Sequence, residues 1–226
     1  MKKDNNANNS LTNEFDPDST KTCFVEEPAH AYATNNGEKT LDDYIALPEG
    51  SRIEMIDGTF YDMSAPTTIH MQIVGTLHFY FKQFIDDHGG PCVPFLAPTD
   101  VQLDSDNKTV VQPDVFIICD KNRKMYPWIV GAPDLVVEVV SPSNRQMDVI
   151  RKRYKYEHAG VREYWMVFPE EKTITVCIFA TNETKNYSFE DKIPVWIWDG
   201  KCEIDFKKIY DEISYLYEQG SADGSL

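Results

Sequence analysis

Alternating apolar and polar runs in SRIEMIDGTFYDMS flank Asp57-Gly58, a favoured two-residue turn. A β-hairpin is therefore expected at that point. After Pro66-Thr67-Thr68 the period changes. Ile69, Ile73, Leu77, Phe81, Phe84 and Ile85 recur at helical spacing as far as His88, and Gly89-Gly90 supplies the stop. Upstream, TLDDYIAL reads as a short helix with Thr40 as N-cap, ending before Pro48-Glu49-Gly50. Val93 to Leu103 reads as one strand or two, broken by Pro94 and Pro98, and a polar turn, DSDNK, follows. Two strand-length apolar runs come next, VVQPDVFII and PDLVVEVVS, joined by the loop DKNRKMYPWIVGAP. A helix capped by Ser143 or Asn144 then runs to about His158 and stops at Ala159-Gly160. VREYWMVF and TITVCIFA are strands on either side of the turn PEEK, and Asn186–Phe189 and Val195–Trp198 are shorter strands. Asp205 to about Gln219 is a closing helix with Ile209, Ile213 and Leu216 on its inner side. Strands outnumber helices, and helices bracket the central strands. The pattern predicts an α/β fold with a mixed β-sheet flanked by helices, an N-terminal β-hairpin and additional C-terminal strands.

Residues 1–40 are rich in Asn, Thr, Asp and Glu, show no apolar period, and read as a disordered or loosely attached tail. Residues 41–219 form the expected domain, and 220–226 a C-terminal tail. No apolar run is long enough to cross a membrane, and the N-terminus lacks the apolar core of a secretory signal. The five cysteines are scattered without a C-x-x-C pair, so neither a zinc ribbon nor a disulfide framework is expected; a reduced, cytoplasmic protein is. The chain carries a net charge of −15, of which −12 lies beyond residue 40 (30 acidic against 18 basic). Such acidity argues against a broad phosphate-binding surface but leaves room for a local basic cleft.

Each of the two apolar runs contains one carboxylate that does not fit it. Asp114 stands near the start of the first, and Glu138 near the end of the second, between Leu135-Val136-Val137 and Val139-Val140. Isolated charge is costly in a buried strand. Two such strands side by side would bring both carboxylates to one end of a sheet, a donor set suited to a hard divalent cation, Mg2+ first. The alternative is a turn aspartate and a glutamate that meets an arginine. In the following helix Asp148, Lys152 and Tyr156 fall at i, i+4 and i+8, with Lys155 close to the same stripe. Asp148 and Lys152 also satisfy the spacing of an ordinary helix ion pair, and an exposed pair there would contribute little to folding. Arg145, Arg151, Lys152, Arg153 and Lys155 crowd eleven residues, either a landing site for phosphates or a solvated helix face. Glu54, in RIEMIDG, and His70, at the start of the long helix, would each more often be inert. No G-x-S-x-G, P-loop or G-x-G-x-x-G is present, which removes the usual serine-hydrolase, NTPase and dinucleotide readings.

The ordered set RIEMIDG, a helix with an early histidine, VVQPDVFII, APDLVVEVVSPS, Asp148/Lys152/Tyr156 and AGVREYW resembles the Uma family of restriction-endonuclease-like proteins, a branch of the PD-(D/E)xK nuclease superfamily. The resemblance covers roughly Leu41 to Phe206 and is dense between Gln112 and Trp165. It implies a four- or five-stranded mixed sheet flanked by helices, with a Mg2+ site at one edge at which Mn2+ could substitute. Asp114 would be the Pro-Asp acid and Glu138 the second acid, binding the metal together with the carbonyl of Val139. The E-x-K lysine is replaced by Val140, and Lys152 on the next helix is the implied substitute, with Lys155 as second choice. Glu54 would help to position a metal or its water, Tyr156 would support the lysine, and His70 is the family's early helix histidine. The activity implied is metal-dependent phosphodiester hydrolysis, with DNA as substrate and a homodimer as the cutting unit. The contrasting expectation is a catalytically inactive nuclease fold that binds a nucleic acid or protein partner.

Overall fold

The structure, a computed structural model, describes residues 38–103, 107–141 and 147–222. The expected N-terminal tail as far as residue 37, the start of the DSDNK turn, the Ser143/Asn144 cap, Arg145 and residues 223–226 lie outside them. Helix α1 (Leu41–Ile45) is closed by a reciprocal cap in which Thr40 and Asp43 each accept from the other's backbone N–H. Strands β1 (Ile53–Ile56) and β2 (Thr59–Asp62) form the hairpin, and Asp57 and Gly58 both take the positive φ that a twist-matched turn requires. A side chain at Gly58 would also collide with Glu38 and Lys39, which lie against the turn. Helix α2 (Thr68–His88) buries Ile69, Ile73, Leu77, Phe81 and Ile85, the stripe read from the sequence, and ends at Gly89.

Three sheets follow. The largest has six strands: β11 (Glu183–Ser188), β10 (Thr173–Ile178), β9 (Glu163–Phe168), β8 (Leu135–Val139), β6 (Val115–Ile118) and β3 (Val93–Leu96), in that order. Only β8 and β9 run parallel in it. A second, five-stranded sheet joins the hairpin to β5 (Val110–Val111), β4 (Val101–Gln102) and β7 (Ile129–Val130). Strands β12 (Lys192–Val195) and β13 (Cys202–Asp205) make a separate pair. A six-residue π-helical turn, Met147–Lys152, leads into α3 (Arg153–Ala159), and α4 (Phe206–Ala222) closes the chain.

Both faces of the six-stranded sheet are covered, which is why its central strands read as unbroken apolar runs. Val115, Ile117, Val137, Trp165 and Val167 face α2, α4 and the β12–β13 pair. Phe116, Ile118, Val136, Tyr164 and Met166 face the second sheet and Tyr156 of α3.

Several expectations need correction. VVQPDVFII is two strands in two sheets rather than one, because Pro113 has no N–H to continue a ladder and the chain crosses between sheets at Gln112–Asp114. The main sheet has six strands rather than four or five. The connector after Cys119 contains a strand, since Ile129 and Val130 pair in parallel with Val101 and Gln102. Val195 ends β12, and Trp196–Trp198 is a 3-10 turn; CEID, with Cys202 and Ile204 buried, is the strand that pairs back. Cys92 and Cys119 form a disulfide, so the expectation of unpaired cysteines fails for these two. The cause is register: each stands one step beyond the pair Val93–Ile118 on β3 and β6.

Glu163 holds the 3-10 turn onto the sheet. It is fully buried, and its carboxylate accepts from Trp165 Nε1 at 2.7 Å and from the Ile197 N–H at 2.8 Å. Burial raises its pKa above the ordinary 4.5, against the lowering effect of those hydrogen bonds. A raised carboxyl pKa contributes stability that is complete below the unfolded value and is lost as pH rises. Glu163→Gln leaves one N–H without an acceptor and should cost about 1–3 kcal/mol at or below pH 4.5. Urea unfolding should show that deficit shrinking as pH increases above this value, and a pH-independent deficit would contradict the assignment.

Candidate active site

The register that pairs Val115 with Val137 sets Asp114 opposite Glu138 one step further on, on the face turned towards α3 and the second sheet. The two carboxylates thus meet at one end of the main sheet, where β6 begins and β8 finishes. Asp114 Oδ2 accepts from the Val139 N–H at 2.7 Å, which ties it to the peptide following Glu138. Its Oδ1 lies 3.0 Å from His70 Nε2, a contact in which the ring donates. His70 sits in the first turn of α2, where its own N–H donates to the capping hydroxyl of Thr67.

Glu138 is 3% exposed, and Lys152 4%. Lys152 Nζ lies 3.0 Å from Glu138 Oε1 and 2.9 Å from Glu54 Oε2. Tyr156 OH donates to the same Glu138 oxygen at 2.6 Å. Burial first, and the Glu138 charge second, push the Tyr156 phenol well above its ordinary pKa, so it remains a donor. Glu54 Oε1 accepts from the Gln112 N–H at 2.7 Å, which joins the hairpin to the crossing segment. Glu54, His70, Asp114, Glu138, Val139 and Lys152 all line one cavity of about 960 Å3.

Lys155 is not brought to this group. It is buried, but its ammonium pairs with Asp57 at the hairpin turn. The remaining basic residues also diverge, Arg151 to the Tyr61 hydroxyl and Arg153 towards Glu157, so the described part of the cluster is not one landing surface. Lys152 and Tyr156 converge across the junction between the π-helical turn and α3 rather than along a uniform α-helical stripe. Gln112 was not singled out from the sequence, although a polar residue inside VVQPD carries the same signal as the aspartate beside it. Arg52, two residues before Glu54, was also passed over.

The donor set suits a hard divalent cation. Glu54, Asp114 and Glu138 bring three carboxylates against one lysine ammonium and an imidazole. The oxygens of Asp114 and Glu54 each make one of the contacts described, which leaves each a further lone-pair direction, whereas Glu138 Oε1 already takes both Lys152 and Tyr156. Among the described residues no three Asp, Glu, His or Cys side chains gather to hold an ion alone. Mg2+ needs no such cage, since it commonly takes one or two carboxylates and keeps several waters.

A mixed sheet flanked by helices, with paired acids and a lysine at one end, defines a restriction-endonuclease-like fold. The model of the family Uma2, described as "Putative restriction endonuclease", matches residues 41–195, and the chain belongs to that family. It is 25% identical over 173 residues to an uncharacterized protein of Synechocystis sp. (strain ATCC 27184 / PCC 6803 / Kazusa), covering 73% of this chain and 88% of the other. A crystal structure from Anabaena variabilis ATCC 29413, described as a "putative nuclease belonging to DUF820", shares the fold with a TM-score of 0.64 and 20% identity. The match covers 76% of this chain and 97% of that one. Among the described residues no helix is long and apolar enough to cross a membrane.

The burial of Lys152 overturns the expectation that losing it leaves the fold intact. Its removal strands two buried glutamates, a loss of about 3–5 kcal/mol for a broken buried pair. Chemical denaturation of Lys152→Met should show a deficit of this order, and Lys152→Met/Glu138→Gln should recover part of it. A change below about 0.5 kcal/mol in Lys152→Met would mean that the lysine is solvated.

Proposed function

We propose that the protein is a metal-dependent endonuclease that hydrolyses phosphodiester bonds in DNA. The observation that carries the reading is the convergence of Asp114, Glu138 and Lys152 in a single cavity. Family membership and the likeness to the Anabaena protein support it. Asp114, Glu138 and the carbonyl of Val139 are the residues that would hold Mg2+ or Mn2+. When bound, such an ion polarises a phosphate and lowers the pKa of a water.

The rest of the chemistry belongs to the chain. His70 fixes the rotamer of Asp114, and the Val139 N–H locks its other oxygen. Tyr156 donates to Glu138 and holds it facing the cavity. Lys152 places a positive charge beside Glu138, where it can offset charge developing on a phosphate. Glu54 acts as a positioning residue through Lys152. Two copies related by symmetry would cut both strands. The reaction would take place in the cytoplasm, with the Cys92–Cys119 disulfide the feature set against that compartment. The second reading, an inactive binding module, is favoured by the engagement of Lys152 with two carboxylates at once.

Plasmid DNA incubated with Mg2+ or Mn2+ should be cut by the wild type and left intact in EDTA. Glu138→Ala should lower the rate about a hundredfold or more. Absence of cutting under every metal condition would favour the binding module. Accumulation of nicked rather than linear product would count against the symmetric pair.

Metal at ten times its dissociation constant should stabilise the wild type by about 1.4 kcal/mol. For a chain of this size that is roughly a 3–5 °C rise in melting temperature. Glu138→Gln should abolish most of the rise. An equal rise in both proteins would place the ion elsewhere.

A further inference from the structure

The cavity is poor in available positive charge. Glu54, Asp114, Glu138 and Glu170 line it, and the cations nearest to it are committed. Lys152 is shared between Glu54 and Glu138, Arg151 bonds the Tyr61 hydroxyl, and Lys155 bonds Asp57. Arg52 differs from all of these. It lines the cavity and is exposed, and among the described residues its guanidinium has neither an ion pair nor a hydrogen bond. Its backbone is nevertheless fixed, because its carbonyl accepts from the Met63 N–H at 2.9 Å and extends the hairpin ladder by one step. Strand alternation then sends the Arg52 side chain to the same side as Glu54, two residues on. A rigid base and an uncommitted tip are what capture of an anion from solvent requires.

We propose that Arg52 anchors a phosphate of the substrate at the rim of the cavity. Two guanidinium N–H groups bind the non-bridging oxygens of a phosphodiester that flanks the one being cut. The planar fork matches phosphate in a way that an ammonium does not. The anchor draws a polyanion into a site whose other charges are mostly negative. It acts on binding rather than on the reacting bond, so its loss raises KM and leaves kcat little changed. The identity of the ligand as nucleic acid rests on the nuclease reading; the anion site itself does not.

The test has two arms, both on the full chain. In the first, arginine Nε–Hε resonances of 15N-labelled protein are followed during titration with inorganic phosphate. The resonance missing from Arg52→Ala should move in the wild type, and its indifference to phosphate overturns the proposal. In the second, fluorescence anisotropy measures binding of a labelled 16-base-pair DNA in EDTA over a KCl series. Arg52→Ala should weaken binding about tenfold and lower the slope of log Kd against log salt by about one. Arg52→Lys should restore part of both. Equal affinity and slope in wild type and Arg52→Ala also overturn the proposal. If neither protein binds DNA while the Arg52 resonance still follows phosphate, the anchor stands and the DNA reading fails.

Discussion

One ammonium group ties together the three parts of the chain that meet at the site. Lys152 reaches Glu54 on the hairpin of the second sheet and Glu138 on a central strand of the main sheet, from the helical turn packed against both. None of the three charges is tolerable alone at that depth, since a buried ion without a partner loses its hydration and gains nothing in return. The arrangement need not add to net stability, because apolar residues of the same volume could do as well. It narrows the ways in which the second sheet can dock. A displacement of the hairpin would strip the lysine of one carboxylate, and a rotation of the helix would strip it of both. Tyr156 and Gln112 extend the same logic: Tyr156 shares the Glu138 oxygen that the lysine contacts, and the Gln112 N–H satisfies the Glu54 oxygen that the lysine does not reach.

Much of this was legible in the sequence, and the reason is local. A carboxylate inside LVVEVV contradicts its surroundings, and the contradiction marks Glu138 without any knowledge of the fold. The Asp57-Gly58 turn and the apolar stripe of α2 are equally local. What could not be read depends on partners far away in sequence. The division of VVQPDVFII between two sheets is decided by which strands lie on either side of Pro113. The pairing of Cys92 with Cys119 follows from the β3–β6 register, which no spacing rule contains. Lys152 and Lys155 are three residues apart and chemically alike, and only the place of the hairpin decides that one meets Glu138 and the other Asp57.

The crossing at Gln112–Asp114 explains why the cavity lies where it does. A strand that leaves one sheet for another must turn where neither ladder continues, and a proline without an N–H makes that turn inexpensive. The polar residues beside it face the seam between two apolar cores rather than the interior of either. Hydrogen-bonding groups gather at the seam because backbone there lacks strand partners, and Asp114 and Glu54 supply them. Side chains placed at such a seam inherit rigid supports on both sides.

The order of assembly along the chain follows from the same placement. Hairpins and helices close over short loops and form early, whereas contacts between distant segments wait for chain entropy to be overcome. Glu54, Asp114, Glu138 and Lys152 come from four separate segments, and the last of them in chain order is supplied by the helical turn that follows β8. A partly synthesised or half-folded chain holds the acids but not the lysine that organises them. The complete cluster therefore forms only when the two sheets dock, and until then the buried acids lack the ammonium that compensates them.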